Sequence, residues 1–201
     1  MKKSVIASLL TAASLALVAT SYGQGSVQFQ NYNFGATSLN APVTFGQTAN
    51  VGGVNGVTGT RLGKEFTADL LYSLDGGATY TALTGAQSGS ATYPTAFAFG
   101  AGNDGDAANF AGYFFGNPVT IPGYSSGAVS FIVEAYHGAS YAAADWKGQS
   151  APFSMASIAT GTAPPSDFAG LNSFVVTVPE PSIFALAGLG AAGLMAFRRK
   201  K

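Results

Sequence analysis

The feature that most constrains this chain is its last stretch, Val178 to Lys201. Val178, Pro179, Glu180 and Pro181 lead into sixteen uncharged residues, Ser182 to Phe197, which are closed by Arg198, Arg199, Lys200 and Lys201. An apolar run ending in cations is the pattern of a membrane stop, because the cations stay with the cytoplasmic headgroups. As a helix at about 1.5 Å per residue the run covers roughly 24 Å, short of a hydrocarbon core of roughly 30 Å. The cations must therefore snorkel or the bilayer must thin. Such a transmembrane helix suits a temporary tether better than a permanent span. Pro179 and Pro181 fix φ and offer no N–H, so the approach to the helix is expected to be extended.

The other end is also an address. Met1-Lys2-Lys3 precedes an apolar run from Val5 to Ala19 and the small residues Thr20, Ser21, Tyr22 and Gly23. These are the three regions of a signal peptide read by the general secretion machinery, with cleavage expected after Gly23 and Ser21 as the alternative. A permanent N-terminal anchor is disfavoured because the run is short and no stop-transfer pattern follows. The chain has no cysteine, so disulfides, thiolate metal sites and lipoprotein-type acylation are excluded. Residues 24–177 remain as one body, large enough for a core.

That body carries Arg61, Lys64 and Lys147 against eight carboxylates, a net charge of −5. It would repel phosphate backbones, and nucleic acid is excluded as a partner on that ground. Charged residues make up 9% of the chain and glycine contributes 27 residues, which suits short strands joined by turns. Aromatic content of 12% argues against disorder, since such side chains can offset the entropy of ordering.

The signal peptide, the Gly- and Ser-rich body, Val178-Pro179-Glu180-Pro181-Ser182, the apolar run and Arg198 to Lys201 together resemble exported bacterial proteins with a PEP-CTERM sorting signal. The resemblance implies recognition of Pro179-Glu180-Pro181 by an exosortase, a membrane-embedded cysteine protease of transpeptidase type, at the outer face of the inner membrane. It also implies delivery to the cell surface or to an exopolysaccharide matrix. The body is similar to those of some such proteins in a strand like Phe131 to Tyr136, an Ala-rich segment and a Gly-Gln-Ser stretch.

Along the body, Ser26 to Tyr32 alternates with period two, the mark of a strand with one buried face. Pro42 to Phe45 reads as a short edge strand, and the glycine-rich Gly46 to Gly63 reads as a long loop. Phe66 to Leu83 is the clearest unit, two alternating runs around Asp75-Gly76-Gly77, a hairpin signal. A helix over Glu65 to Leu74 is the competitor, opposed by Thr67, Tyr72 and the turn that follows. Thr92 to Phe99 and Phe110 to Phe115 read as strands. Ala128 to Tyr136, the most apolar stretch, is expected at the centre of a sheet. Tyr141 to Trp146 is read as one helical turn capped by Ser140, Gly148 to Met155 as extended, and Phe174 to Val178 as the last strand. The expected fold is mainly β, an antiparallel β-sandwich of jelly-roll or Ig-like type.

Motifs for chemistry are weak. Gly100 to Gly105 and Gly188 to Gly193 both fit G-x-G-x-x-G. The first carries Asp104 where a pyrophosphate would sit, with Asp106 just beyond, and the second lies inside the apolar tail. Gly123-Tyr124-Ser125-Ser126-Gly127 fits G-x-S-x-G, but Pro122 precedes it and the most apolar strand follows it, whereas a nucleophile elbow requires a strand before and a helix after. His137, the one histidine, would need Asp145 or Asp104 and a serine to act as a base. Asp104 and Asp106 are weak calcium candidates without EF-hand spacing. Trp146, Tyr141 and Tyr136 are the candidates for stacking on sugar rings. The expectation is a non-enzymatic, cofactor-free exported protein, tethered transiently to the inner membrane; the alternative is a carbohydrate-binding module for exopolysaccharide.

Overall fold

The strand expected at the centre holds that place. A computed structural model of the chain describes residues 24–33, 39–83, 95–96 and 110–180. Among these residues the strands are β1 (Gly25–Gln30), β2 (Val43–Phe45), β3 (Ala49–Val51), β4 (Val54–Gly56), β5 (Phe66–Ser73), β6 (Thr81–Ala82), β7 (Thr95–Ala96), β8 (Phe115–Ile121), β9 (Val129–His137), β10 (Trp146–Gln149), β11 (Phe153–Met155), β12 (Ala159–Thr160) and β13 (Phe174–Val176). No helix occurs among the described residues. The segments read as signal and membrane helices, 1–23 and 182–197, lie outside them.

β9 is flanked by β5 on one side and by β10 and then β11 on the other, all antiparallel. β6 and β7 both pair with the far edge of β5, completing a six-stranded sheet. A second sheet has the order β12-β1-β8. The alternation of β1 works as its sequence demands: Val27 and Phe29 are buried while Ser26, Gln28 and Gln30 face outward, half-exposed. Both sheets contribute to one hydrophobic core. Phe168, between them in the chain's C-terminal part, places its ring 6.1 Å from Phe29 of β1 and 5.3 Å from Phe131 of β9.

The Phe66 to Leu83 hairpin forms as read. Its turn is held by side chains close in sequence: Ser73 Oγ donates to Asp75 Oδ1 (2.5 Å) and accepts from Gly77 N–H (2.9 Å), and Thr79 N–H donates to Asp75 Oδ1 (3.0 Å). Gly76 and Gly77 adopt φ of 76° and 93°, which side chains with a Cβ resist. The helical alternative for Glu65 to Leu74 does not occur.

Several expectations are corrected. Gly46 to Gly63 contains the β3–β4 hairpin, packed under Phe45 and Trp146. β2 is not an edge: it pairs with β13 on one side, and Thr44 bridges Arg61 on the other. The β2–β13 pairing is parallel, so the fold is not uniformly antiparallel. Phe110 to Gly112 is a turn, and the strand runs later, from Phe115 to Ile121. Its Pro118 is tolerated because β8 is a sheet edge, where a missing N–H costs no ladder bond. Tyr141 to Ala143 is a turn in which Ala143 N–H reaches Ser140, not a helix. Of Thr92 to Phe99, only Thr95–Ala96 is described, paired with β5.

Candidate functional site

The described part of the C-terminal segment grows straight out of the sheets. β13 lies parallel to β2 in the register Phe174↔Val43 to Val176↔Phe45. On its other side Thr177 forms an antiparallel bridge with Lys147, each backbone N–H donating to the other's carbonyl at 2.9 Å. Gly46 N–H donates to Val176 C=O at 2.8 Å. Phe174 and Val176 point into the core, Val176 without any exposure, while Val175 is exposed. Gly148 allows this fit: a Cβ there would lie 1.9 Å from the Val175 carbonyl oxygen. Val178 is half-buried against the core, and Pro179 and Glu180 are exposed. Pro181 and the cations Arg198, Arg199, Lys200 and Lys201 lie outside the described residues.

Lys147 also borders a polar patch on the face of the six-stranded sheet that points away from the core. Register sets Asp69 of β5 directly opposite Glu134 of β9, and Gln149 opposite Glu134 on the other side. Like charges placed across a strand pair disfavour ionisation. The Glu134 carboxyl is pushed up to about 7, first by desolvation and then by Asp69, with Lys147 opposing. Burial also raises the phenols of Tyr136 and Tyr141, and Asp69 and Glu134 add to it for Tyr136, Glu134 for Tyr141. Tyr141 packs edge-on to Tyr136 at 6.2 Å and carries the Lys147 ammonium 5.2 Å above its ring.

The aromatic residues read as sugar stackers therefore divide. Trp146 is wholly buried, edge-on to Phe45 at 5.0 Å, with its indole N–H donating to Val51 C=O at 3.2 Å. It offers no ring face to a ligand, because strand alternation turns Trp146 inward and Lys147 outward. Tyr136 is buried and Tyr141 half-exposed. A different aromatic group went unread: Tyr32 lies 6.3 Å from both Phe110 and Phe115 and 4.9 Å from Tyr113, over which Arg61 sits at 5.0 Å. Phe115 in this group is exposed. Spacing along the sequence carries no trace of it, since β1 and β8 are far apart in the chain and meet only in the sheet.

Asn31 is a second unread residue. Its buried amide donates to Ala41 and Gly112 carbonyls (2.8 and 2.9 Å) and accepts from Phe114 N–H (2.8 Å), tying three segments with every bond satisfied.

His137 Nδ1 and Asp145 Oδ1 are 2.7 Å apart, so one of the two carboxylates weighed for His137 is its partner. Ser125 lies in the turn before β9 whereas His137 ends it, so roughly a strand length, about 27 Å, separates them. The G-x-S-x-G segment links one sheet to the other, and Tyr124 within it is anchored by its hydroxyl, which donates to Gly127 C=O and accepts from Ile158 N–H. Asp104 and Asp106 lie outside the described residues, among which no cluster of metal-ligating side chains occurs. No helix among them is long and apolar enough to cross a membrane.

Residues 177–200 match the model of the PEP-CTERM protein-sorting motif. Neither curated proteins nor solved structures give a match to this chain.

Proposed function

We infer from the PEP-CTERM sorting signal at residues 177–200 that the chain is exported with a membrane-anchored sorting signal, handed to an exosortase, and that its β body is the cargo. In this reading residues 1–23 are a signal peptide removed on export, residues 24–177 are the delivered domain, and residues 178–201 are a handle. The body is a β-sandwich without enzymatic activity. The meeting of Phe29, Phe131 and Phe168 between the two sheets supports the sandwich. The distance between Ser125 and His137 along β9 weighs against the G-x-S-x-G serine acting with that histidine.

The match at residues 177–200 carries the reading. The handle holds the body at the inner membrane until it is processed, after which the body reaches the cell surface or matrix. Replacing Pro179, Glu180 and Pro181 together by alanine tests it in the producing cell. The variant is expected to accumulate unprocessed in the membrane; wild-type processing and release would refute the assignment.

Exopolysaccharide binding is a second reading, and the cluster of Tyr32, Phe110 and Phe115 now favours it, not Trp146. Aromatic rings presented beside a cation are suited to sugar faces. Binding of purified residues 24–177 to the producer's polysaccharide, weakened by Phe115→Ala and unaffected by Val57→Ala at an exposed residue just after β4, would support it. Absence of binding to any glycan would remove it.

A further inference from the structure

The body leaves no slack before the motif. Both backbone groups of Thr177 are bonded to Lys147, Val176 C=O is bonded to Gly46, and the Val176 side chain is wholly buried. Val178, the next residue, still packs on the core, and Pro179 follows immediately. Proteases and other peptide readers take their substrate as an extended strand whose main chain they hydrogen-bond over several residues. On the N-terminal side of Pro179-Glu180-Pro181 the residues a protease would grip are already a strand of this protein. Gly148 brings the β10 backbone against Val175 so closely that a second strand has no room there.

We propose that β13 is a built-in cover over the N-terminal flank of the sorting motif, and that processing proceeds from a state in which Phe174 to Thr177 has left β2 and β10. The proposal rests on the reading of residues 177–200 as an exosortase signal and adds a control step to it. Locally opened states of this kind are normal for terminal elements, whose release costs less than global unfolding. The folded body then sets how often the signal becomes readable, and a chain whose β13 fails to dock is processed fastest.

Two opposite changes test this in the full chain, with tail removal by the producing cell's membranes followed over time. A ten-residue Gly/Ser spacer between Thr177 and Val178 supplies free chain without disturbing β13, and is expected to speed processing at least tenfold. A Thr177→Cys/Lys147→Cys pair locks β13 to β10. The two positions form a directly hydrogen-bonded antiparallel pair, whose Cα separation of about 5.5 Å suits a disulfide. The natural chain has no cysteine to interfere. The oxidised pair is expected to slow processing at least tenfold relative to its reduced form and to each single-cysteine variant kept under the same oxidising conditions. Unchanged rates in both the spacer and the locked chain would overturn the cover. The Pro179-Glu180-Pro181 triple alanine variant separates the two ideas: if it is processed like wild type, the sorting assignment itself fails, whereas its block beside indifferent spacer and lock variants refutes the cover alone.

Discussion

Two hairpins in this protein each turn through a glycine pair at positive φ and have opposite origins. In Phe66 to Leu83 the turn is bonded by Ser73, Asp75 and Thr79, all within a few residues of one another. In β3–β4 the turn is Gly52-Gly53, and what holds the hairpin comes from elsewhere. Trp146 donates to Val51, the Phe45 and Trp146 rings close over Gly56, and the Asp145 carboxylate lies against Gly52. The first hairpin is written locally and the second is imposed by packing. The β13 junction belongs with the second, since its partners β2 and β10 are distant in sequence.

The contrast breaks most visibly at Trp146. Trp146→Ala empties a fully buried site and is expected to cost about 3–5 kcal/mol. Amide exchange should show β3–β4 and β13 losing protection first while the Ser73 to Thr79 turn keeps its own; uniform loss would erase the distinction. Gly148→Ala comes next, because its methyl meets the Val175 carbonyl, and about 1–3 kcal/mol of destabilisation is expected by thermal unfolding. That loss should be concentrated at β13.

Glu134→Gln is expected to have a smaller effect and one that depends on pH. Its folded carboxyl titrates near 7, above its ordinary 4.5, so the folded state holds the proton more tightly. Stability from this group is complete below about 4.5 and is lost as pH rises through about 7. The substitution should flatten that decline, by about 1 kcal/mol once solvent screening of a half-exposed group is allowed for. A parallel slope in both proteins, measured by denaturant midpoints from pH 4 to 8, would refute it.

The smallest effect is expected at the locally written turn. Asp75 is held down to about 2 by Ser73 and Thr79, so its contribution is present above its ordinary 3.8 and lost as pH falls through about 2. Asp75→Ala should abolish that acid sensitivity and loosen only residues 73–79 in exchange. Loss of protection in β3–β4 would contradict local control.

The same division explains how much was legible. β1, β9 and the Asp75 hairpin declare themselves because alternation and turn chemistry act within one window. β8 was hidden by Pro118, which reads as a breaker unless the strand is known to be an edge. The parallel union of β2 with β13 leaves no local mark. Trp146 could not be placed from the sequence, because the segment before it reads as a helical turn and only its position as the first residue of β10 turns the ring inward. At the site, Val178 to Glu180 was legible as a motif, but its attachment to the core through Thr177 and Lys147 was not, since that bridge exists only in the folded sheet.

The central claim, that the body is cargo on a sorting handle, is tested most directly by the intact mass of the protein recovered from the producing cell and its medium. Wild type is expected to lack the segment carrying Arg198 to Lys201, and the Pro179-Glu180-Pro181 triple alanine variant to retain it in the membrane. A released wild-type protein that still carries those four cations would contradict the account.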